Sequence, residues 1–201
     1  MRISTPVAFV VYLVLPCFVP PPVMAQWSAA IQLGSDRFWG GASDNTEEHR
    51  SFLPYRPSTF SAAVHHRGSR IGMGLRLGYS EAALGLEGNS AVIAAKGVFA
   101  IYSLAPDISY RIATLGAGNL VVLQAGPLLE LWNITDEGTR TRIGGHGGVA
   151  LLVPIGGRFN AIVSGSLAVL ASPFEVGELP EGFEMQTLWR RGISGGLEYR
   201  F

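Results

Sequence analysis

Alternation of apolar and polar positions is the dominant pattern in this chain. In the segment 71–79, isoleucine, methionine, leucine and tyrosine at the odd positions alternate with glycine and Arg76 at the even positions. A period of two places successive side chains on opposite faces of a strand. The same pattern predicts eight strands, at about 27–39, 58–67, 71–79, 98–112, 120–132, 142–155, 159–171 and 189–201. Most of them reach the ~9–11 residues that a tilted strand needs to cross a bilayer.

The predicted connections alternate in length along the chain. Three are tight and rich in glycine, at 67–70, 114–119 and 156–158. Four are longer, at 40–57, 80–97, 133–141 and 172–188. In outer-membrane barrels the short turns face the periplasm and the long loops face outside. Because the number of strands is even, both chain termini are then expected on the periplasmic side.

Aromatic residues gather near the two ends of the predicted strands. If the odd-numbered strands run outward, one set falls near the periplasmic edge: Trp27, Tyr110, Phe159, Tyr199 and Phe201. A second set falls near the other edge: Trp39, Phe60, Tyr79 and Trp189. Amphipathic rings favour both interfaces of a bilayer, so two such girdles are typical of a membrane barrel rather than of a soluble core.

The segment 189–201 separates its two faces cleanly and ends on an aromatic residue. Ile193, Leu197, Tyr199 and Phe201 share one face, opposite glycine, serine and charged residues. This segment resembles the closing strand of a bacterial outer-membrane β-barrel, in which a terminal aromatic is the usual last residue. With the alternation and the loop asymmetry, it makes residues 26–201 similar to the small eight-stranded bacterial outer-membrane β-barrel proteins.

The resemblance implies an all-β fold, namely an eight-stranded antiparallel up-and-down transmembrane β-barrel. It implies a monomer in the bacterial outer membrane, with outer-membrane lipids around it. It also implies that the barrel-assembly machinery recognises the last strand, with Tyr199 and Phe201 as the assembly signal. These implications concern architecture and location, and none of them names a ligand.

The first residues have the pattern of a secretory signal peptide. Arg2 supplies a positive start, and the apolar run 7–15 is too short to span a bilayer as a helix. Small residues before Gln26 predict cleavage between Ala25 and Gln26, which makes 1–25 the signal and 26–201 the barrel domain. An N-terminal membrane anchor is the alternative, and the prolines at 16 and 20–22 disfavour it because they would break a helix.

Composition removes several classes of function. The only cysteine, Cys17, lies within the predicted signal, so the exported chain would have no disulfide, catalytic thiol or thiolate metal site. Lys and Arg total 15 and Asp and Glu total 15, which gives no electrostatic reason to expect nucleic acid. The mean hydropathy is +0.29, yet no run of eighteen apolar residues follows Gln26, so the apolar residues must be spread along strands.

Charged residues on the polar strand faces predict a network inside the barrel. Its expected members are Arg76, Asp107, Arg111, Glu130, His146, Arg190 and Glu198. An eight-stranded barrel is just wide enough for side chains to fill, so we expect paired charges and no open pore. A proton path or a hidden catalytic group is the alternative, but we predict no catalytic residue, metal or cofactor.

Three roles remain open at this stage. The favoured one is a structural, adhesive or small-ligand-binding role of the extracellular loops, two of which are acidic (44–50 and 175–184). The second is a lipid-modifying enzyme, for which the triplet His49-Arg50-Ser51 is a weak candidate. The third is a soluble exported barrel of the lipocalin kind, which needs polar residues outside and apolar residues inside.

Overall fold

The computed structural model describes residues 27–44, 51–87, 92–135, 138–175 and 182–201. The predicted signal peptide and its cleavage site at Ala25 and Gln26 lie outside these ranges. The strands are β1 (Trp27–Trp39), β2 (Ala42–Asp44), β3 (Ser51–Arg67), β4 (Ile71–Glu87), β5 (Val92–Leu115), β6 (Asn119–Ile134), β7 (Gly138–Gly156), β8 (Phe159–Leu170), β9 (Phe183–Met185) and β10 (Leu188–Arg200). In the ranges described, no helix has the length and apolarity needed to cross a membrane.

The eight long strands form a closed antiparallel barrel in which each pairs with its neighbours along the chain. Closure comes from β1, which pairs with β10 from Ser28↔Arg200 to Trp39↔Trp189 and with β3 from Trp27↔His66 to Ser35↔Ser58. The predicted eight-stranded up-and-down fold is therefore confirmed. We call the end that holds Trp27, Phe201 and the tight turns the turn end, and the opposite end the loop end.

The strands at the loop end run further than the sequence pattern predicts. Residues 80–97 were expected to form a loop, yet β4 continues to Glu87 and β5 begins at Val92, so most of that segment is hairpin. Likewise β3 begins at Ser51, although Pro54 and Pro57 indicate a loop. Pro57 falls within the register shift between Tyr55 and Ser58, where backbone donors are not all needed, whereas Pro54 stays in register opposite Leu84.

Two short strands were missed altogether. β2 and β9 lie in the first and last long connections, and they pair with each other from Ala42↔Met185 to Asp44↔Phe183. β2 also pairs with the start of β3. Three-residue strands carry too little alternation to be recognised in a sequence, since their pairing is decided by distant partners.

Apolar side chains cover the outside of the barrel wall. Leu33, Ile71, Met73, Ile143 and Ile193 are each at least 64% exposed. Buried polar side chains lie inside, among them Gln32, His65, Asp107, Glu130 and Glu198. A soluble lipocalin-like barrel requires the opposite distribution, so this alternative is wrong.

Close approach between strands makes glycine necessary at one position of the closing strand. A Cβ atom at the inward-facing Gly196 would lie 2.0 Å from the backbone oxygen of Ile31 on β1. At the outward-facing Gly195, the nearest atom to a Cβ would be the backbone oxygen of Ile162, at 3.7 Å. The two adjacent glycines therefore have different roles. Of the two, only Gly196 is needed for the close approach of β1 and β10, which we call the seam of the barrel.

We expect Gly196→Ala to destabilise the barrel by about 1–3 kcal/mol, the usual cost of forcing an extra carbon into a packed interior. Gly195→Ala is the matched control, and it should be neutral or slightly stabilising because it reduces backbone freedom in the unfolded chain. Urea unfolding of the two variants in detergent micelles measures the difference. Equal stabilities would contradict the close approach at the seam.

Candidate functional site

The inward positions of β1 give the order of layers inside the barrel. From the turn end to the loop end they are Ser28, Ala30, Gln32, Asp36 and Phe38, all largely buried. Polar and apolar layers alternate along this series. Ser28, Gln32 and Asp36 belong to polar clusters, while Ala30 and Phe38 belong to apolar ones.

The turn-end polar cluster surrounds Glu198, whose side chain is fully buried. Arg67 at the end of β3 makes an ion pair with Glu198, and the Arg67 guanidinium also donates to Ser28 Oγ at 3.3 Å. Asn160 Nδ2 donates to the other carboxylate oxygen of Glu198 at 2.8 Å. These contacts tie four strands together, because the residues come from β1, β3, β8 and β10.

An apolar layer separates this cluster from the centre of the lumen. It consists of Ala30, Ala63, Val122, Ala150, Leu152 and Ile162. A cavity of about 140 Å³ lies on the turn-end side of the layer. A second cavity of about 70 Å³ lies further up, and its lining includes Gln32, Arg76 and His146. The layer therefore divides the interior.

The central polar cluster contains neutral and charged groups. Gln32 Oε1 accepts hydrogen bonds from Ser164 Oγ at 3.2 Å and Ser194 Oγ at 2.8 Å. Arg76 Nη2 donates to Gln124 Oε1 at 2.8 Å. Most of these side chains come from strand positions with the same inward parity, so the register of the sheet brings them together.

Asp107 is buried in the same region, with only 4% of the residue exposed. Its carboxylate oxygens accept no hydrogen bond from the described residues. The nearby charge of Arg76 compensates the carboxylate, Arg67 is a further cationic neighbour, and the imidazole of His146 lies in the same region. His146 itself lies 3.4 Å through Nε2 from the backbone oxygen of Pro106.

The upper polar cluster is centred on Arg190. Its Nη1 donates to Glu130 Oε1 at 2.5 Å, and its Nε lies 3.9 Å from Asp36 Oδ2. Trp132 Nε1 donates to the second oxygen of Glu130 at 3.0 Å, and Thr59 Oγ1 donates to Asp36 at 2.8 Å. The fully buried Glu130 is thus satisfied on both oxygens, as a buried charge requires.

An apolar plug closes the lumen above the upper polar cluster. Its buried members are Phe38, Leu53, Ala82, Phe99, Ile101, Trp132, Ile134 and Leu188. The rings of Phe38 and Phe99 meet the indole of Trp132 edge-on, at centroid distances of 5.9 and 5.7 Å. Phe174, in the described beginning of the last long connection, packs against this plug, so this part of the connection lies over the barrel mouth.

Two arginines of β7 fix the beginning of the same connection. Arg140 Nη1 donates to the backbone oxygen of Pro173 at 2.9 Å, and Arg142 Nε donates to that of Ser172 at 2.6 Å. Both guanidinium groups also lie within 3.7 Å of Glu175. These contacts, together with the β2–β9 pairing, form a compact cap at the loop end, which we call the loop-end cap.

The predicted lumen residues occupy different clusters of the interior. Glu198 lies at the turn end, Arg76, Asp107 and His146 lie at the centre, and Glu130 and Arg190 lie near the loop end. The Arg111 side chain lines the turn-end cavity but makes no hydrogen bond or ion pair with a described residue. The sequence therefore identified groups that share a lumen, but they do not form a single network.

The sequence analysis did not predict the contacts of three arginines. Arg67 was predicted as the last residue of the second strand and the first of a tight turn, but not as a member of the lumen network, although it faces inward at the end of β3. Its parity with His65 was the signal that could have placed it in the lumen. Arg140 and Arg142 left no such signal, because their acceptors are backbone oxygens far along the chain.

The candidate catalytic and acidic segments fall largely outside the described residues. His49 and Arg50 of the weak triplet are not described, and Ser51 begins β3. His65 and His66 face opposite sides of β3, since His65 is buried and His66 meets the ring of Trp27 at 4.9 Å. No group of three His, Cys, Asp or Glu side chains within the described ranges could hold a metal ion.

Comparison with known proteins supports the fold and nothing finer. No protein-family model matches the sequence, and no curated protein matches it. The structure is similar to neisserial surface protein A, with 11% identity, a TM-score of 0.59, and coverage of 88% of this chain and 97% of that one. It is also similar to OprG from Pseudomonas aeruginosa (10%, 0.51, 88% and 95%) and to the outer-membrane protein AlkL (15%, 0.51, 88% and 90%). The chain has the fold of the small eight-stranded outer-membrane β-barrels.

We expect Glu130→Gln to destabilise the folded barrel by about 3–5 kcal/mol, because it leaves Arg190 buried without its main countercharge. Adding Arg190→Met to this variant should restore at least half of the loss, since the unpaired charge is then removed. Glu81→Gln is the control, because Glu81 accepts only an exposed hydrogen bond from Tyr79. Denaturant unfolding in detergent measures all three variants, and a Glu130→Gln barrel as stable as the control would contradict the buried pair.

Proposed function

We propose that this protein is an integral barrel of the bacterial outer membrane that conducts no solute and presents a rigid cap to the outside, in a structural or adhesive role. The observation that carries the proposal is the inverted distribution of polarity: an apolar outer wall around a polar lumen that apolar layers close. In this arrangement both chain termini lie in the periplasm and the loop-end cap lies outside.

The height of the apolar wall supports a membrane location. The backbone nitrogen of Phe201 donates to the oxygen of Trp27 at the turn end, and Trp39 pairs with Trp189 at the loop end. Between these aromatic pairs, β1 and β10 expose Ile31, Leu33, Ile193 and Leu197. A tilted strand of ten residues covers about 25 Å along the barrel axis, which equals the apolar band of outer-membrane barrels.

The two closed layers support a barrier rather than a channel. The plug around Trp132 and the layer around Leu152 lie on either side of the central polar cluster. Their buried side chains leave cavities of about 70 and 140 Å³ on the path between the two ends. Such cavities hold a few water molecules and do not form a continuous passage.

The loop-end cap supports a role outside the membrane. Backbone pairing of β2 with β9, and the contacts of Arg140 and Arg142, give it a fixed shape. A fixed surface loses little conformational entropy when it meets a partner, which favours binding. The lipid-modifying enzyme of the sequence analysis stays a prediction that these contacts do not test.

The closing strand supports a further part of the proposal, which is recognition by the barrel-assembly machinery. Tyr199 and Phe201 contact each other edge-on at 5.4 Å, and Phe201 is 48% exposed at the end of the chain. Phe159 meets Tyr199 at 5.1 Å and extends this aromatic cluster along the turn end. An exposed aromatic end of this kind is accessible to an assembly factor before the seam closes.

Charge placed on the wall tests the membrane location. Leu77 faces outward at the level of Ile31, near the middle of the apolar band, whereas Ile71 of the same strand lies beyond its turn-end edge. Leu77→Arg should cost about 2–4 kcal/mol in lipid, and Ile71→Arg only about 0–1 kcal/mol. Urea unfolding in phosphatidylcholine vesicles measures both, and outer-membrane fractionation with a heat-dependent gel shift shows where the wild type resides. A wild type that is soluble without detergent would contradict the proposal.

Electrical recording tests the closed lumen. The wild-type protein inserted into a planar lipid bilayer should show no steady ion current, because two apolar layers interrupt the polar interior. A porin inserted into the same bilayer serves as the positive control. A reproducible current from the wild type, with a defined unit size, would overturn the non-conducting role while leaving the membrane location intact.

A further inference from the structure

Two arginines lie side by side on the outside of the barrel seam. Arg37 of β1 and Arg191 of β10 are direct register partners, and both are exposed. They occupy the same outward parity as Leu33, Trp39 and Trp189. Their side chains therefore belong to the wall and not to the lumen.

Neither guanidinium group makes an ion pair with a residue in the described part of the chain. The two groups lie directly opposite each other on the sheet, where like charges repel. Glu81 is also charged and outward-facing, but it lies on β4 and accepts a hydrogen bond from Tyr79. A wall that keeps two unpaired positive charges together is suited to bind an anion between them.

Neighbouring aromatic rings limit the freedom of this pair. Trp39 and Trp189 stack at a centroid distance of 6.0 Å with an angle of 10° between their planes. The Arg191 guanidinium carbon lies 5.9 Å from the centre of the Trp39 ring. Stacking on an aromatic face restricts a guanidinium, so less entropy is lost when it binds a ligand.

The height of the pair identifies the kind of anion. Ten residues separate Trp27 from Arg37, and the same number separates Phe201 from Arg191. This distance corresponds to about 25 Å along the barrel axis, so the guanidinium groups lie at the outer boundary of the apolar band. Below Arg191 on the same face lies the exposed Ile193, and below Arg37 lie the exposed Ser35 and then Leu33. The site thus combines two cationic side chains with the apolar outer wall of the barrel below them.

We propose that Arg37 and Arg191 bind the phosphate headgroup of a phosphorylated outer-leaflet lipid, whose acyl chains lie along the wall beside Leu33 and Ile193. Guanidinium groups bind phosphate oxygens through paired, charge-assisted hydrogen bonds. One bound phosphate would also remove the repulsion between the two arginines. The inference rests on the membrane location proposed above and adds a specific lipid site to it.

The test uses the full-length mature chain refolded into phosphatidylcholine vesicles that contain bisphosphorylated lipid A. Native mass spectrometry after extraction into mild detergent counts the lipid A molecules retained on each barrel. The double variant Arg37→Gln, Arg191→Gln should lose retained lipid by about tenfold or more, because both cationic contacts to the phosphate are removed. The conservative variant Arg37→Lys, Arg191→Lys should keep most of it because the charge remains.

The matched control removes two positive charges from the other end. Arg158 and Arg200 are exposed at the turn end, where the backbone nitrogen of Arg200 donates to the oxygen of Arg158. Arg158→Gln, Arg200→Gln should retain as much lipid A as the wild type. Equal loss in both double variants would overturn the proposal, because it would indicate a general effect of net charge.

Two further measurements distinguish failure of the lipid site from failure of the proposed membrane location. The wild type should retain dephosphorylated lipid A poorly, and inorganic phosphate should not displace the bound lipid, since the acyl chains contribute to binding. Strong displacement by inorganic phosphate would overturn the lipid site in favour of a simple anion site. The heat-dependent gel shift reports folding and insertion of every variant, so a protein that inserts but shows no phosphate preference refutes this site alone. If the glutamine variant does not fold, the wild-type comparison of the two lipids decides.

Discussion

The pairing of β1 with both β10 and β3 is the constraint on which the rest of the structure depends. A sheet edge in a lipid environment would leave backbone donors and acceptors without water to satisfy them, and only closure removes the edge. Once β1 has two partners, β1 and β10 keep one unbroken antiparallel register from Ser28↔Arg200 to Trp39↔Trp189. That single register decides which residues face inward, because a slip of one position would exchange the lumen and the wall.

Closure then creates the problem that the lumen residues solve. Eight strands enclose a space too narrow for bulk water and too polar to be left empty, so each charge needs a partner supplied by another strand. Glu198 and Glu130 meet this need at opposite ends, with Arg67 and Arg190 as their partners. One apolar layer lies between the turn-end cluster and the central cluster, and the apolar plug lies beyond the upper cluster. The result is an interior that stabilises the closed seam and also blocks passage.

The part of the barrel that carries the apolar band could be predicted from the sequence, since alternation and turn chemistry are local. All eight long strands and the inward direction of Arg76, Glu130 and Glu198 follow from a period of two. The loop end could not be predicted in the same way. Residues 80–87 extend a hairpin without regular alternation, and β2 finds β9 across a long stretch of chain. Outside the apolar band, neither face of a strand has to be apolar, so there is no physical reason for apolar and polar residues to alternate. The partner of each lumen charge could not be predicted either, because alternation shows which face a residue lies on but not which residue lies opposite it across the barrel.

The same reasoning explains why charged residues outside the seam indicate an external ligand, whereas charged residues in the lumen do not. Inside, a charge is needed to balance another charge, and its presence therefore says little about an external ligand. Outside, an apolar wall gives no reason to keep a charged side chain, and the pairing of Arg37 with Arg191 adds repulsion to that cost. In the membrane orientation that we propose, the stacked rings of Trp39 and Trp189 lie beside the pair at the level of the lipid phosphates. A feature that the fold does not need, and that electrostatics opposes, is the part of this barrel wall that points to a partner.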